Sequence, residues 1–69
     1  MDRDLFEYKM KQAGYRTPEQ RAKAIGVSIS AYYRRMKNEC ECTKEEIGKT
    51  ANILGWKVAK QIFFADYVS

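Results

Sequence analysis

Apolar residues recur along the chain at the three- and four-residue spacing of amphipathic α-helices. In the first segment, Phe6, Met10 and Ala13 lie at i, i+4 and i+7, and polar residues occupy most other positions around the helix. Gly14 follows the last turn, where glycine favours the end of a helix. This pattern predicts a helix over residues 2–13.

Two more helices are predicted in the second half of the chain. Thr43 and Glu46 form a capping box that opens the first of them, and Gly55 ends it. The second is predicted over residues 56–64, and a short tail follows. The inward positions predicted for this pair are Ile47, Thr50 or Ala51, Leu54, Val58, Ile62 and Phe63.

The middle of the chain has the most complete start signal for a helix. Thr17 is an N-cap residue, Pro18 occupies the first helical position, and Gln20 at the third position completes a capping box. The helix is predicted to run only about two turns, to Gly26, which can adopt the positive φ that ends a helix.

A third short helix is predicted over residues 29–37, capped by Ser28, with Tyr32 and Met36 facing the core. Two short helices joined by a tight turn form a helix-turn-helix, whose second helix can enter the major groove of DNA. No segment alternates as a strand does. We therefore expect one all-α domain over residues 1–69, with five helices and a helix-turn-helix at about residues 18–37.

Charge is concentrated in this middle pair. The formal net charge of the chain is +4, and residues 16–37 carry +5 because six basic residues there face one acid, Glu19. The six are Arg16, Arg21, Lys23, Arg34, Arg35 and Lys37. The excess alone could be a solvated basic face without a partner. Charge and motif together favour binding to nucleic acid over a bundle that binds only proteins.

The residue chemistry excludes several classes of protein. The chain has no histidine, which excludes catalytic triads that use imidazole and Cys/His zinc sites. It has no acid pair, activated thiolate or phosphate-binding loop, so we expect no enzyme activity, cofactor, metal or small-molecule substrate. No apolar run approaches the ~20 residues of a membrane span and no leader is present, so we expect no membrane partner and a cytoplasmic protein.

Only Glu41 separates the two cysteines, Cys40 and Cys42. A disulfide between them would close a small strained ring, and an extended linker would point their side chains in opposite directions. We expect two free thiols, with Cys42 buried as a small hydrophobic residue and Cys40 an incidental linker residue.

Residues 17–28, continued by residues 29–36, resemble the helix-turn-helix of phage Cro and CI repressors and their xenobiotic-response-element relatives. Residues 43–47, 54–55 and 62–65 are similar to the later helices of small phage-type members. The resemblance implies a five-helix, lambda-repressor-like domain that binds a double-stranded operator as a homodimer and represses transcription in a bacterium or phage-infected host.

The resemblance also implies which residues face DNA. Base contacts are expected from Ile29, Ser30 and Arg34, and phosphate contacts from Ser28, Tyr33, Arg35, Lys37, Arg16 and Lys23. Arg34 can bind a guanine through its fork or contact a phosphate instead, and a solvated role is a third alternative. Core packing is the alternative for Tyr33.

Three positions depart from the family pattern. Pro18 replaces a glutamine that supports a phosphate contact, so backbone N–H groups are expected to serve instead. Arg21 replaces a buried leucine, which suggests a side chain that reaches solvent or a thinner core. Asn38 and Glu39 replace Asn-Gly, so a different exit turn is expected.

A dimer is expected because one short helix reads too few base pairs for useful specificity. The residues expected at its surface are Phe63, Phe64, Tyr67 and Val68, with the tail 66–69. Core packing is the alternative for both phenylalanines.

Two other functions stay open. A protein-interaction module such as an antirepressor or adaptor could keep the fold without operator binding, which Pro18, Arg21 and Ile29 would suit. An excisionase-type recombination factor would bind DNA and bend it.

Overall fold

The computed structural model describes residues 1–64, which form five α-helices and no strand. The helices are α1 (Arg3–Gln12), α2 (Pro18–Ile25), α3 (Ile29–Met36), α4 (Lys44–Leu54) and α5 (Trp56–Phe63). The predicted all-α fold with five helices is confirmed, and each predicted helix end lies within one residue of the observed end. None of these helices has the length and apolar character needed to cross a membrane.

Side-chain caps explain where α2, α3 and α4 begin. The backbone N–H of Gln20 donates to the Thr17 hydroxyl at 3.1 Å, and the Gln20 side chain accepts from the Thr17 N–H, so the predicted capping box is confirmed. Ser28 caps α3 by accepting from the N–H of Ala31. Thr43 caps α4 in the same way. Each cap satisfies an N–H group that the helix itself leaves unpaired.

One apolar core lies among the helices. Its buried members are Phe6, Met10, Ala22, Ile25, Tyr32, Met36 and Ile62. Thr50, Ala51 and Ala59 are also buried. Ala13, predicted to face inward, is instead exposed, because the chain leaves α1 there toward the turn at Gly14.

Gly26 ends α2 with φ +79°, a left-handed conformation that costs glycine little. The N–H groups of Gly26 and Val27 donate to the carbonyls of Lys23 and Ala22, and this Schellman pattern closes the helix. Val27 is half-buried against the core. Three residues, 26–28, therefore separate the end of α2 from the start of α3.

Asn38 has φ +59° directly after α3, in the conformation that Gly26 adopts after α2. The N–H of Glu39 donates to the carbonyl of Arg34, and the N–H of Asn38 to that of Arg35. Asparagine tolerates the left-handed region better than most residues. The exit turn is therefore a regular helix end formed by asparagine instead of glycine.

Candidate nucleic-acid interface

The outer face of α3 is a continuous exposed stripe. It consists of residues at i, i+1, i+4, i+5 and i+8: Ile29, Ser30, Tyr33, Arg34 and Lys37. The opposite face carries Tyr32 and Met36, both buried, with Ala31 and Arg35 half-buried beside them. All three residues predicted to contact bases therefore lie together on one exposed side of one helix.

Tyr33 lies on the exposed stripe and also contacts a buried residue of the core. Its ring packs edge-on against the buried Tyr32, with ring centroids 5.9 Å apart, and it remains 46% exposed. Contact with Tyr32 therefore orients the Tyr33 ring, while much of the ring faces solvent. Ser28 is exposed, and its side chain caps α3 as predicted.

Arg35 is not on this exposed stripe. Its guanidinium forms a two-pronged ion pair with Glu46 of α4, in which Nε contacts Oε1 and Nη2 donates to Oε2 at 3.0 Å. The Thr43 hydroxyl donates to the same carboxylate at 2.9 Å. The two N–H donors that Arg35 would offer to a phosphate are therefore already bonded to a carboxylate. Arg35 therefore joins α3 to α4 and does not belong to the exposed stripe.

The ion pair also shifts the pKa values of its members. Burial raises the pKa of Glu46, but the hydrogen bonds from Arg35 and Thr43 and the Arg35 charge outweigh burial, so the pKa lies below its ordinary value. The hydrogen bond with Glu46 raises the pKa of Arg35. Both groups are therefore charged near neutral pH.

Arg21 is buried, only 3% exposed, and does not reach solvent. Its Nε donates to the Tyr32 hydroxyl at 2.7 Å, and its Nη1 donates to the carbonyls of Tyr15 and Arg16 at 3.1 and 3.0 Å. The expectation of a side chain that reaches solvent is therefore wrong. The guanidinium is instead accommodated by polar partners inside the fold.

These two placements reduce the charge available to a partner. Of the six basic residues in 16–37, four are exposed: Arg16, Lys23, Arg34 and Lys37. Glu19 is exposed as well, so the surface charge of the segment is +3 instead of +5. The exposed face of α3 itself carries Arg34 and Lys37 and no acid.

Lys49 of α4 adds positive charge from outside the segment. Its ammonium lies against Gly26, in space that a Cβ at that position would need. It therefore stands beside the turn that leads into α3. Sequence reasoning missed Lys49 and assigned Glu46 only to the capping box with Thr43, since nothing local in α4 indicates that either residue meets the middle pair of helices.

The amides at the start of α2 are less available than expected. The N–H groups of Arg16 and Thr17 both donate to Oε1 of Gln20, at 2.7 and 3.1 Å, and the N–H of Gln20 donates to Thr17. Pro18 has no N–H. These three amides are therefore already hydrogen-bonded within the protein, and the expectation that backbone N–H groups replace the missing side-chain contact stays a prediction. The exposed side chain of Arg16 is the cation at this end of α2.

The cysteines lie on the side of the molecule where α3 exits. Both are free thiols, as expected, with Cys40 exposed and Cys42 half-buried. Burial raises the pKa of Cys42 to about 11, with the Glu46 charge acting in the same direction. Both cysteines line one groove of about 510 Å³ with Phe63 and Phe64. No cluster of three or more potential metal ligands occurs among residues 1–64.

The residues predicted at a dimer surface are only partly described. Phe63 is half-buried and packs edge-on against Phe6, with centroids 6.4 Å apart, whereas Phe64 is 36% exposed. Tyr67, Val68 and the rest of the tail lie outside the described residues.

Comparison of the chain with protein-family models, curated proteins and solved structures finds no match.

Proposed function

We propose that this protein is a sequence-specific regulator of transcription that binds double-stranded DNA through a helix-turn-helix formed by α2 and α3. The proposal specifies a small phage or prophage repressor of the Cro/CI type, acting in the cytoplasm of a bacterium or phage-infected cell. The observation that carries it is the outer face of α3, where residues suited to base contact and residues suited to phosphate contact share one exposed stripe.

Base readout is assigned to Ile29, Ser30 and Arg34. The guanidinium of Arg34 can donate two hydrogen bonds to the O6 and N7 atoms of guanine. The Ser30 hydroxyl can donate to or accept from several bases, and the Ile29 side chain, 36% exposed, can pack on a thymine methyl group. Ile29 and Ser30 lie in the first turn of α3, the part of a recognition helix that contacts base edges.

Phosphate contact is assigned to residues on the stripe and beside it: Arg16, Lys23, Ser28, Tyr33 and Lys37. The exposed basic residues of 16–37 are Arg16, Lys23, Arg34 and Lys37, and they set an upper limit on the counterion release that this segment contributes. If all four contact phosphates, the slope of log Kobs against log salt is about −3.6 per protomer; a count of all six in the segment would give about −5.4. The slope of log Kobs against log salt therefore tests whether Arg21 and Arg35 remain bonded inside the protein when it binds DNA.

Two copies are proposed to bind together on DNA, with half-sites about 34 Å apart on one face of the duplex. The contact between copies is assigned to the end of α5, where Phe64 is partly exposed beside the groove. Phe64→Glu is expected to preserve the helical circular dichroism and reduce cooperative occupancy of a two-half-site duplex. Unchanged cooperativity would remove Phe64 from the dimer surface.

The main experiment selects bound duplexes from a random-sequence pool and then measures Kd for the selected and a scrambled duplex at two salt concentrations. Tighter binding of the selected duplex and a steep salt dependence are expected. A folded protein that binds no duplex at low salt would move the chain to the class of protein-interaction modules. Strong bending of the selected duplex with little sequence preference would favour the recombination factor.

Arg34→Ala separates base readout from phosphate anchoring. If Arg34 contacts guanine, the variant loses preference at one base pair and about 1–3 kcal/mol of binding free energy. If it contacts phosphate, all sequences weaken together and the slope falls by about one unit. Ile29→Ala should reduce preference for a thymine and leave the slope unchanged, because no charge is removed. Lys57→Ala on α5 is the control, since Lys57 is exposed and outside the proposed surface.

A further inference from the structure

The guanidinium of Arg21 is buried without an anionic partner. The ion pairs among residues 1–64 involve Arg3 and Arg35, and none of them includes Arg21. Its three hydrogen bonds go to one hydroxyl and two carbonyls. Burying a cation costs free energy that neutral partners offset only in part.

Stability alone gives a weak reason for an arginine at this position. Replacing a buried ion by an apolar side chain of similar volume is often neutral or stabilising. An apolar side chain here would carry no charge to desolvate. The arginine is therefore better explained by what its hydrogen bonds hold together than by the free energy they add.

Those bonds join three parts of the proposed interface. Arg21 itself lies on α2, its Nε bonds the hydroxyl of Tyr32 on α3, and its Nη1 bonds the backbone of Tyr15 and Arg16 before α2. Tyr32 lies on the inner face of α3, opposite the exposed stripe, and its ring supports that of Tyr33. One planar group thus connects the backbone of a phosphate-contacting residue to the helix assigned to base readout.

We infer that Arg21 is a positioning residue for DNA recognition: it holds the backbone of Arg16 and the recognition helix α3 in one fixed arrangement, so that both can meet the duplex together. The inference rests on the proposed function. It assigns no DNA contact to Arg21, whose side chain is enclosed by the protein.

The test uses a double variant, Arg21→Met with Tyr32→Phe. Removing the guanidinium together with the Tyr32 hydroxyl avoids leaving a buried hydroxyl unpaired, and such paired apolar replacements are close to neutral in stability. The carbonyls of Tyr15 and Arg16 also lose their donor, but both bonds are only partly buried, so water can replace the guanidinium there. The melting temperature is expected to equal or exceed that of the wild type, while affinity for the selected duplex falls about tenfold, as expected for loss of one hydrogen bond's worth of free energy. A residue with only a structural role would lower stability and affinity together.

Arg21→Lys separates geometry from charge. Lysine keeps the positive charge but lacks the fixed fork that reaches a hydroxyl and two carbonyls at once. The same loss of affinity is therefore expected. Restoration of wild-type affinity by lysine would overturn the inference, because charge alone would then be sufficient. Lys57→Met is the control for the lost charge and should bind like the wild type, since Lys57 lies exposed on α5.

A second measurement does not depend on DNA. The N–H groups of Arg16 and Thr17 are bonded to Gln20, and the carbonyl of Arg16 is held by Arg21. In the double variant these two amides should exchange hydrogen about tenfold faster at unchanged global stability, because local opening no longer breaks the bonds from Arg21.

The two measurements separate the possible failures. Unchanged amide exchange would overturn the inference whether or not the protein binds DNA. Faster exchange with unchanged duplex affinity would overturn it as well, since the tie would then have no effect on recognition. A wild-type protein that binds no duplex would contradict the proposed function. Faster amide exchange in the double variant would still show that Arg21 holds the backbone of Arg16 and Thr17.

Discussion

Replacing Glu46 by glutamine should destabilise the protein strongly, although the side chain keeps its size. The carboxylate is only 8% exposed and receives both prongs of the Arg35 guanidinium, whose side chain is 15% exposed. Glutamine removes the charge and leaves the guanidinium half-buried without its anion. Breaking a fully buried pair in this way costs about 3–5 kcal/mol, and the limited access of water to Arg35 lowers our expectation to about 3 kcal/mol.

That cost is large for a chain of 69 residues. A domain of this size has a total stability of about 3–10 kcal/mol, and a loss of about 3 kcal/mol lowers the melting temperature by roughly 12–24 °C. Urea denaturation followed by circular dichroism measures the loss directly. Glu45→Gln is the matched control, because Glu45 is exposed and adjacent, and it should change stability by less than about 0.5 kcal/mol.

A double-mutant cycle with Arg35→Met assigns the loss to the pair. The two side chains contact each other, so their effects should not add, and a coupling free energy of about 1–3 kcal/mol is expected. Additive effects, or a Glu46→Gln cost below about 0.5 kcal/mol, would show that the ion pair does not hold α3 to α4.

The same carboxylate predicts how stability depends on pH. The pKa of Glu46 in the folded state lies below its ordinary value, so the unfolded state binds a proton more readily than the folded state does. Its contribution is therefore present above the ordinary glutamate pKa and is lost as pH falls through the lowered folded-state pKa. Glu46→Gln should remove this part of the acid destabilisation. An identical pH profile in the variant would contradict the assigned shift.

Two further predictions concern the turn and the thiols. Gly26→Ala should lower the free energy of unfolding by about 1–2 kcal/mol in urea denaturation, because alanine is strained at φ +79°. The Lys49 ammonium lies at the end of a flexible side chain and can move away from the new Cβ, so adding Lys49→Met should not restore stability. With iodoacetamide at neutral pH, mass spectrometry should find Cys40 alkylated before Cys42, since Cys40 is exposed and the pKa of Cys42 is raised to about 11. Equal labelling of both thiols in urea is the control. Equal labelling in the folded protein would contradict the burial of Cys42.

The sequence by itself determined the helices and their ends. Each cap joins a side chain to a backbone N–H three residues away, as Thr17 does with Gln20, so the signal lies within one turn of chain. The inward positions Tyr32 and Met36 follow from periodicity for the same reason. Asp2–Leu5 and Ser28–Ala31 are further caps of this local kind.

Only the tertiary structure decided which charged residues remain at the surface. Arg21 meets Tyr32, and Arg35 meets Glu46, across 11 residues of chain in each case. No periodic or capping pattern encodes such a pair, because the partners meet only after α2, α3 and α4 have packed. From composition alone, every arginine is expected to be a surface charge. Packing places Arg21 and Arg35 inside the fold, where a guanidinium must find hydrogen-bond acceptors, and both then join neighbouring helices.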